Sequence, residues 1–385
     1  MTRIKAGIIG MGFIGVSHIE AIRRIGYAEL VAVTDVNLEV ARKKAAEYYI
    51  PKCYATIDEL LADPEISVVH NCTPNNLHLE VNEKIIRAGK HVFSEKPLGR
   101  TAKESARMLS LLRENKNIVH GMNFIYRMNP LVQEMKNKIA KGEIGDPKLV
   151  HGSYLQDWLL YETDYNWRIE PEVSGPSRCM ADIGSHWMDT AQNVMGAKIT
   201  AVCADLVTTI PVRKKALGQV ETFSVNANAE YEDKVVKTED YGAVLVKFDN
   251  GVHGVFYASE VSAGRKCFLN LEVDGSKSSL YWNQETADQM WMGNRDKDNQ
   301  LIMRNPNLMT PEAKQYTYLA AGHPEGWNDA MKNNLQSFYT FIRDKKTPGV
   351  DPCDFATFED GHYLMRITEA ILESSRTKQW TDVSF

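Results

Sequence analysis

The sequence predicts two fold classes in one chain: an α/β doubly wound parallel sheet at the amino end, then an α+β domain on a mainly antiparallel open sheet flanked by helices. Three observations carry this. A short apolar strand runs straight into a glycine-spaced turn and a helical pattern. Apolar runs and helical periods then alternate up to about Asn123. Beyond it come longer alternating runs with Asn-Gly and Asp-Gly turns. The chain therefore divides into residues 1–123 and 124–385.

Ile4 to Ile9 reads as a buried strand, followed by Gly10-Met11-Gly12-Phe13-Ile14-Gly15 and a helix from Val16 to about Ile25. In this context the first glycine permits a tight turn, the second lets a pyrophosphate approach the backbone, and the third lets helix and strand pack closely. A second strand, Leu30 to Thr34, ends at Asp35, which stands 20 residues after Gly15. A carboxylate there accepts from the adenosine ribose hydroxyls and repels a 2′-phosphate, so NAD is expected rather than NADP. Helical 38–49, a short helix at 57–61 and strand 67–72 follow, with Thr73-Pro74-Asn75-Asn76-Leu77-His78 at that strand's carboxyl end. Helix 78–88 stops at Gly89, a left-handed cap. Strand 91–93 leads to Glu95-Lys96-Pro97, which puts a lysine in the crevice where such sheets bind ligands. Helix 101–114 and strand 118–121 complete the alternation.

In the second part, 148–158, 199–210, 241–248, 251–261 and 267–282 read as strands, and 129–140 and 185–195 as helices covering one sheet face. Alternation in Val244-Leu245-Val246 and Val255-Phe256-Tyr257 suits self-association through the other face. Residues 212–238 and 283–322 are polar and are expected to form loops rimming a site; 357–376 return to helical periodicity.

Composition sets limits. Hydrophobic residues at 43% and charged residues at 25% are ordinary for globular domains, and a net charge of −5 gives no reason to expect nucleic acid. Six cysteines (53, 72, 179, 203, 267, 353) are scattered without CxxC pairs, which suits a reduced cytoplasmic setting and suggests neither zinc nor any other metal. Residues 1–16 are broken by four glycines and read as the first strand rather than a secretory leader; nothing reaches membrane-span length.

The second chemical cluster is Asp182-Ile183-Gly184-Ser185-His186. If Ser185 caps a helix running to Met195, Asp182 lies just before its amino end and His186 in its first turn. The positive helix end favours the neutral imidazole that a proton acceptor must be. Alone, the pair also fits a helix-start carboxylate and a core histidine.

Together, Gly10-x-Gly12-x-x-Gly15, Thr73-Pro74-Asn75 with His78, Glu95-Lys96-Pro97 and Asp182-x-x-x-His186 resemble the Gfo/Idh/MocA family, whose first domain is a Rossmann fold. The similarity extends through Trp167-Arg168, His323-Pro324-Glu325-Gly326-Trp327 and Phe358-Glu359-Asp360-Gly361. The resemblance implies that Lys96, Asp182 and His186 form a catalytic set: Lys96 on the reacting oxygen, His186 taking the hydroxyl proton, Asp182 orienting the substrate. It implies that Gly10, Gly12, Phe13, Ile14, Gly15, Asp35, Thr73, Pro74, Asn75, His78, Glu95 and Lys96 hold NAD, with Trp167 and Arg168 at its nicotinamide end. Homodimers or homotetramers through the open sheet are expected.

The substrate is argued from the surroundings. Gln156-Asp157-Trp158 combines amide, carboxylate and indole, the mix that holds a sugar or polyol, and Tyr126 and His323 add contacts. An NAD-dependent sugar or polyol dehydrogenase is the main reading. Two others stay open: an NAD-dependent glycosidase working by transient oxidation, with Tyr126, Asp157 or Tyr165 as its further base, and a non-catalytic nucleotide-binding sensor.

Overall fold

The computed structural model describes residues 3–217 and 230–383. Its contacts group into two compact units, Met1–Met128 with Trp327–Tyr363, and Asn129–Gly326 with Leu364–Phe385. A simple division at 123/124 differs from this arrangement. The first unit runs on to Met128 and takes in a helix that begins at Trp327, a long-range packing that local periodicity does not register.

In the first unit the strands are β1 (Ile4–Ile9), β2 (Ala28–Thr34), β3 (Lys52–Cys53), β4 (Val68–Asn71), β5 (His91–Ser94) and β6 (His120–Met122). They form one six-stranded sheet in the order β3-β2-β1-β4-β5-β6, with every pairing parallel. The intervening helices are α1 (Phe13–Arg23), α2 (Leu38–Glu47), α3 (Ile57–Ala62), α4 (His78–Arg87) and α5 (Ala102–Glu114). Central strands buried on both faces explain the continuous apolar runs, such as residues 30–33 of β2, where all four residues are buried. Asn37, Thr56 and Thr101 cap α2, α3 and α5 by accepting main-chain N–H bonds, and Gly89 follows α4 at φ +73°. The order reverses between β1 and β4, so the glycine turn and the Thr73 loop, at the carboxyl ends of those two strands, lie at the switch point where such sheets bind ligands. The Trp327–Arg343 helix packs on α1, and its Phe338 ring meets Phe93 of β5 edge-on at 5.1 Å.

The second unit begins with α6 (Pro130–Ala140) and β7 (Pro147–Leu155), then a short α7 (Pro171–Ser174) and α8 (Ser185–Met195). The remaining strands are β8 (Ile199–Val207), β9 (Val212–Ala216), β10 (Tyr231–Val235), β11 (Tyr241–Phe248), β12 (His253–Ser259), β13 (Phe268–Gly275), β14 (Ser278–Asn283), β15 (Gln289–Asn294) and β16 (Gln300–Met303). The short α9 (Pro311–Lys314) follows, then α10 (Trp327–Arg343, in the first unit), α11 (Phe358–Thr377) and β17 (Thr381–Asp382). Nine strands make one sheet, ordered β16-β15-β14-β13-β7-β12-β11-β8-β17, antiparallel except where β12 meets β7. The α6 and α8 helices cover one face; Trp187 of α8 stacks on Phe256 at 4.5 Å.

Two loop expectations are corrected. Residues 212–238 contain β9 and β10, an antiparallel pair; the segment between them falls partly outside the described residues. Their Arg, Lys, Glu and Asp content hid the strands, because β-propensity reads side-chain burial and these strands bury little. Residues 283–322 contain β15 and β16, which extend the large sheet at its edge, and α9. The run 267–282 is the expected hairpin, β13 and β14, with its turn at Ser276 and Lys277 rather than at Asp274-Gly275.

The reading of Ser185 as a helix cap is also corrected. A π-helical turn over Met180–Gly184 runs directly into α8, and the Ser185 hydroxyl donates back to the Ala181 carbonyl at 2.7 Å. The helical run therefore starts earlier. Asp182 occupies its first turn, and His186 follows on the next.

Candidate active site

The glycine turn is shaped by three different demands. Gly10 has φ +96°, and a Cβ there would come 2.6 Å from the Cys72 carbonyl oxygen. A Cβ on Gly15 would sit 2.3 Å from the Gly10 carbonyl oxygen, whereas one on Gly12 would meet nothing within 4 Å. Internal packing thus requires glycine at positions 10 and 15 and leaves position 12 open. Gly12 precedes the 11-residue α1 with no side-chain cap, and a helix amino end of this kind can receive a pyrophosphate. Phe13 is exposed and Ile14 half-buried at the same end. The Asp35 carboxylate accepts from the Met11 N–H at 2.7 Å and the Asn37 N–H at 2.9 Å, tying the end of β2 to the turn.

A cleft of about 210 Å³ opens beside this turn, lined by Gly10, Asp35, Thr73 and Pro74, together with Val36, Thr56 and Leu77. The last three were not identified from sequence. Val36, 89% exposed, carried a sequence signal only in its place directly after Asp35. These residues fit the adenosine half of a dinucleotide.

The loop after β4 is built by amide side chains. Asn71 accepts from the Thr73 N–H and hydroxyl at 3.2 and 2.7 Å, and donates to Asn82, which donates to Ser94. Pro74 starts a single 3₁₀ turn, Asn75–Leu77, with Asn75 buried. His78 then clasps two loops: Nδ1 lies 2.6 Å from the Pro97 carbonyl and Nε2 2.9 Å from the Thr73 carbonyl. A neutral ring donates from one nitrogen only. Burial pushes this imidazole down, against the pull of both carbonyls. Lys96 is half-buried beside Glu95, whose carboxylate accepts from Asn123 at 2.6 Å.

In the second unit, Arg168 Nε lies 3.4 Å from an Asp182 oxygen while its guanidinium stands 4.4 Å from the Trp167 ring centre and 6.0 Å from that of Trp158. The Trp158 indole donates to Gln156 at 2.8 Å, Gln156 donates to the Tyr154 hydroxyl at 3.3 Å, and the Tyr154 ring lies 6.0 Å from that of His186. Gln156, Trp158, Trp167, Arg168, Asp182 and His186 thus fall in one cluster. Asp157 is turned to Lys266 at 2.7 Å and the Gly264 N–H at 2.9 Å. Burial would raise its carboxyl, but these two donors outweigh it and hold it below the usual range. His323 is exposed on a loop of this unit, and Tyr126 is 2% exposed within the first.

A buried ionic cluster behind the Asp182 helix had no signal in the sequence. One Glu239 oxygen accepts from the Ser177 hydroxyl at 2.6 Å and from the N–H groups of Arg178 and Met180 at 3.1 and 3.0 Å, capping the helical run that carries Asp182. Asp240 accepts from Arg178 and Arg213; Arg213 also donates to the carbonyls of Leu159, Tyr161 and Asp164. The β9 strand thereby holds the segment bearing Trp158 and Trp167. Glu260, wholly buried 3.4 Å from Arg178, is pushed up to about 8 by burial against the pull of that guanidinium.

Comparison with known proteins agrees with both halves. Residues 4–122 match the model of the oxidoreductase family with an NAD-binding Rossmann fold, and residues 132–281 match the GFO/IDH/MocA C-terminal domain. Levoglucosan dehydrogenase of Pseudarthrobacter phenanthrenivorans is 29% identical over 100% of this chain and 99% of its own. The 1,5-anhydro-D-fructose reductase of Ensifer adhaerens is 35% identical over 81% and 88%. A solved levoglucosan dehydrogenase in complex with NADH and levoglucosan superposes with a TM-score of 0.88 at 27% identity, covering 100% of both chains. With its glycine turn, its two-unit architecture and these matches, the chain belongs to the Gfo/Idh/MocA family of NAD-binding oxidoreductases.

Proposed function

We propose that this protein is an NAD-dependent dehydrogenase that removes hydride from a carbinol carbon of a cyclic sugar, anhydrosugar or polyol. The observation that carries the substrate class is the second-unit cluster, in which two indoles, a guanidinium, an amide and a carboxylate adjoin His186. Apolar faces beside fixed hydrogen-bonding groups suit a ring with many hydroxyls. Relatives named for levoglucosan and 1,5-anhydro-D-fructose support the same class.

Bound nicotinamide supplies the hydride acceptor. Lys96 holds the reacting oxygen as negative charge develops, His186 takes the hydroxyl proton, and Asp182, restrained by Arg168, orients the substrate. Glycoside cleavage by transient oxidation needs a further base. The Tyr165 hydroxyl donates to Glu170 at 2.7 Å and is pushed up by burial and that carboxylate, and Asp157 is engaged by Lys266, so neither favours that reading.

We further infer a homodimer or homotetramer through the open sheet face, where Leu149, Leu245, Val255 and Tyr257 are 37–47% exposed and Leu245 is paired opposite Val255. All six cysteines are free, which suits the cytoplasm, and among the described residues no helix is long and apolar enough to cross a membrane. The test is NADH formation against monosaccharides, inositols, anhydrosugars and glycosides. Lys96→Ala and His186→Ala should each lose turnover by about 10²-fold or more while keeping NAD binding. Wild-type rates in either variant, or aglycone release without NADH, would overturn the reading.

A further inference from the structure

Behind Glu95 in the first unit lies a line of buried polar side chains that the dehydrogenase reading does not use. Glu95 Oε1 is 2.9 Å from His18 Nε2 on α1. His18 Nδ1 is 2.8 Å from His70 Nδ1 on β4, and His70 Nε2 is 2.7 Å from the Tyr339 hydroxyl on α10. His18, His70 and Tyr339 are 0% exposed and Glu95 is 6% exposed. Two imidazoles meeting Nδ1 to Nδ1 make an unusual link, because one nitrogen must carry a proton and the other a lone pair.

Hydrogen-bond satisfaction decides the direction. With Glu95 ionised, His18 donates from Nε2, so the lone pair on His18 Nδ1 accepts from His70 Nδ1–H, and His70 Nε2 accepts from Tyr339 O–H. Every group is then satisfied. Running the chain the other way requires a proton on Glu95 or a second proton on His18. It also places His70's proton on Nε2, facing the Tyr339 oxygen, and leaves the Tyr339 O–H without an acceptor, since His70 is the only partner the described residues give it. An unmet buried donor is costly, so the first direction prevails.

We propose that Tyr339, His70 and His18 are positioning residues for Glu95: a one-way hydrogen-bond chain that fixes this carboxylate as an acceptor next to Lys96. Its effect on cofactor binding rests on the reading of Glu95 as one of the residues that hold NAD. The other polar neighbours add to this restraint without extending it through the core. Asn123 donates to the same Oε1, the Lys96 N–H reaches Oε2 at only 3.3 Å, and His78 and the buried Cys72 thiol act through space. Burial would push the Glu95 carboxyl up; the His18 hydrogen bond, the Lys96 charge and the Asn123 amide hold it below the ordinary range. Burial pushes His70 well down, so it stays neutral and keeps one donor.

The chain predicts a tautomer for each ring. Nitrogen NMR on the full-length protein labelled at histidine, assigned with His18→Gln and His70→Gln, should show neutral His70 protonated on Nδ1 and neutral His18 protonated on Nε2. The opposite pair, or a doubly protonated ring at neutral pH, overturns the proposal, and this arm needs no functional variant to fold. Tyr339→Phe removes the terminal donor and with it most of the bias. The acid limb of NAD affinity should then move up by roughly one pH unit while affinity at high pH stays near wild type. An unshifted limb overturns the positioning role and leaves the dehydrogenase reading standing. A shifted limb in a protein that oxidises no sugar supports the chain and removes the enzyme assignment instead.

Discussion

Arg168 and Asp182 form the central polar contact of the second unit, Nε to carboxylate at 3.4 Å, with the guanidinium lying over two indoles. The pair is partly exposed, with side-chain accessibilities of 27% and 18%, so its worth lies in orientation more than in Coulomb energy. Arg168→Ala should raise KM for the sugar about tenfold, with a smaller fall in kcat and little change in NAD affinity. Arg168→Lys should recover little, because an ammonium lacks the planar face that stacks on Trp158 and Trp167. Steady-state kinetics and NAD titration of the two variants check this.

Gly12 and Gly15 should separate binding from folding. Alanine at Gly15 places a Cβ 2.3 Å from the Gly10 carbonyl oxygen, so the turn must open and thermal stability should drop. Alanine at Gly12 meets nothing in the chain, so stability should be kept while NAD affinity falls by about tenfold or more, the methyl standing where the pyrophosphate is proposed to approach. A melting scan beside an NAD titration reads both effects.

Asp35 holds the turn and is the proposed acceptor for ribose, so alanine would confuse the two roles. Asp35→Asn keeps an acceptor for the Met11 or Asn37 N–H and removes the charge. The preference for NAD over NADP should shrink by about tenfold or more, mainly through weaker NAD binding and less repulsion of the 2′-phosphate. Dissociation constants for both cofactors test it.

Glu260 makes stability depend on pH. Its carboxyl is raised to about 8 in the folded protein, so from the ordinary carboxylate range up to that value the folded state holds a proton that the unfolded chain has released. The associated stabilisation is full in acid and is lost as pH rises through about 8. Melting temperatures measured between these limits should fall for the wild type and change less for Glu260→Gln, which stays neutral throughout. Equal slopes would remove Glu260 from this role.

Much of the first unit could be read from local pattern. Strand, glycine turn and helix succeed one another over short spans, and the residues at each strand's carboxyl end, Gly10, Asp35, Thr73 and Lys96, are placed by that succession alone. The Asp182 and His186 spacing was equally plain. The helical start was not, because a π-turn depends on how Glu239, 57 residues later, caps the N–H groups of Arg178 and Met180.

By itself the sequence determined the order of elements, the cofactor turn and the identities of the chemical side chains, since these follow from short-range periodicity and from glycines that the backbone requires. Tertiary structure alone decided that a helix from near the carboxyl end completes the first unit, that polar β9 anchors the Trp158 segment through Arg213, and that His18, His70 and Tyr339 line up behind Glu95. Each of these joins residues far apart in the chain through buried charge or hydrogen bonds. Such partners are chosen by the whole packed core, and no local pattern encodes them.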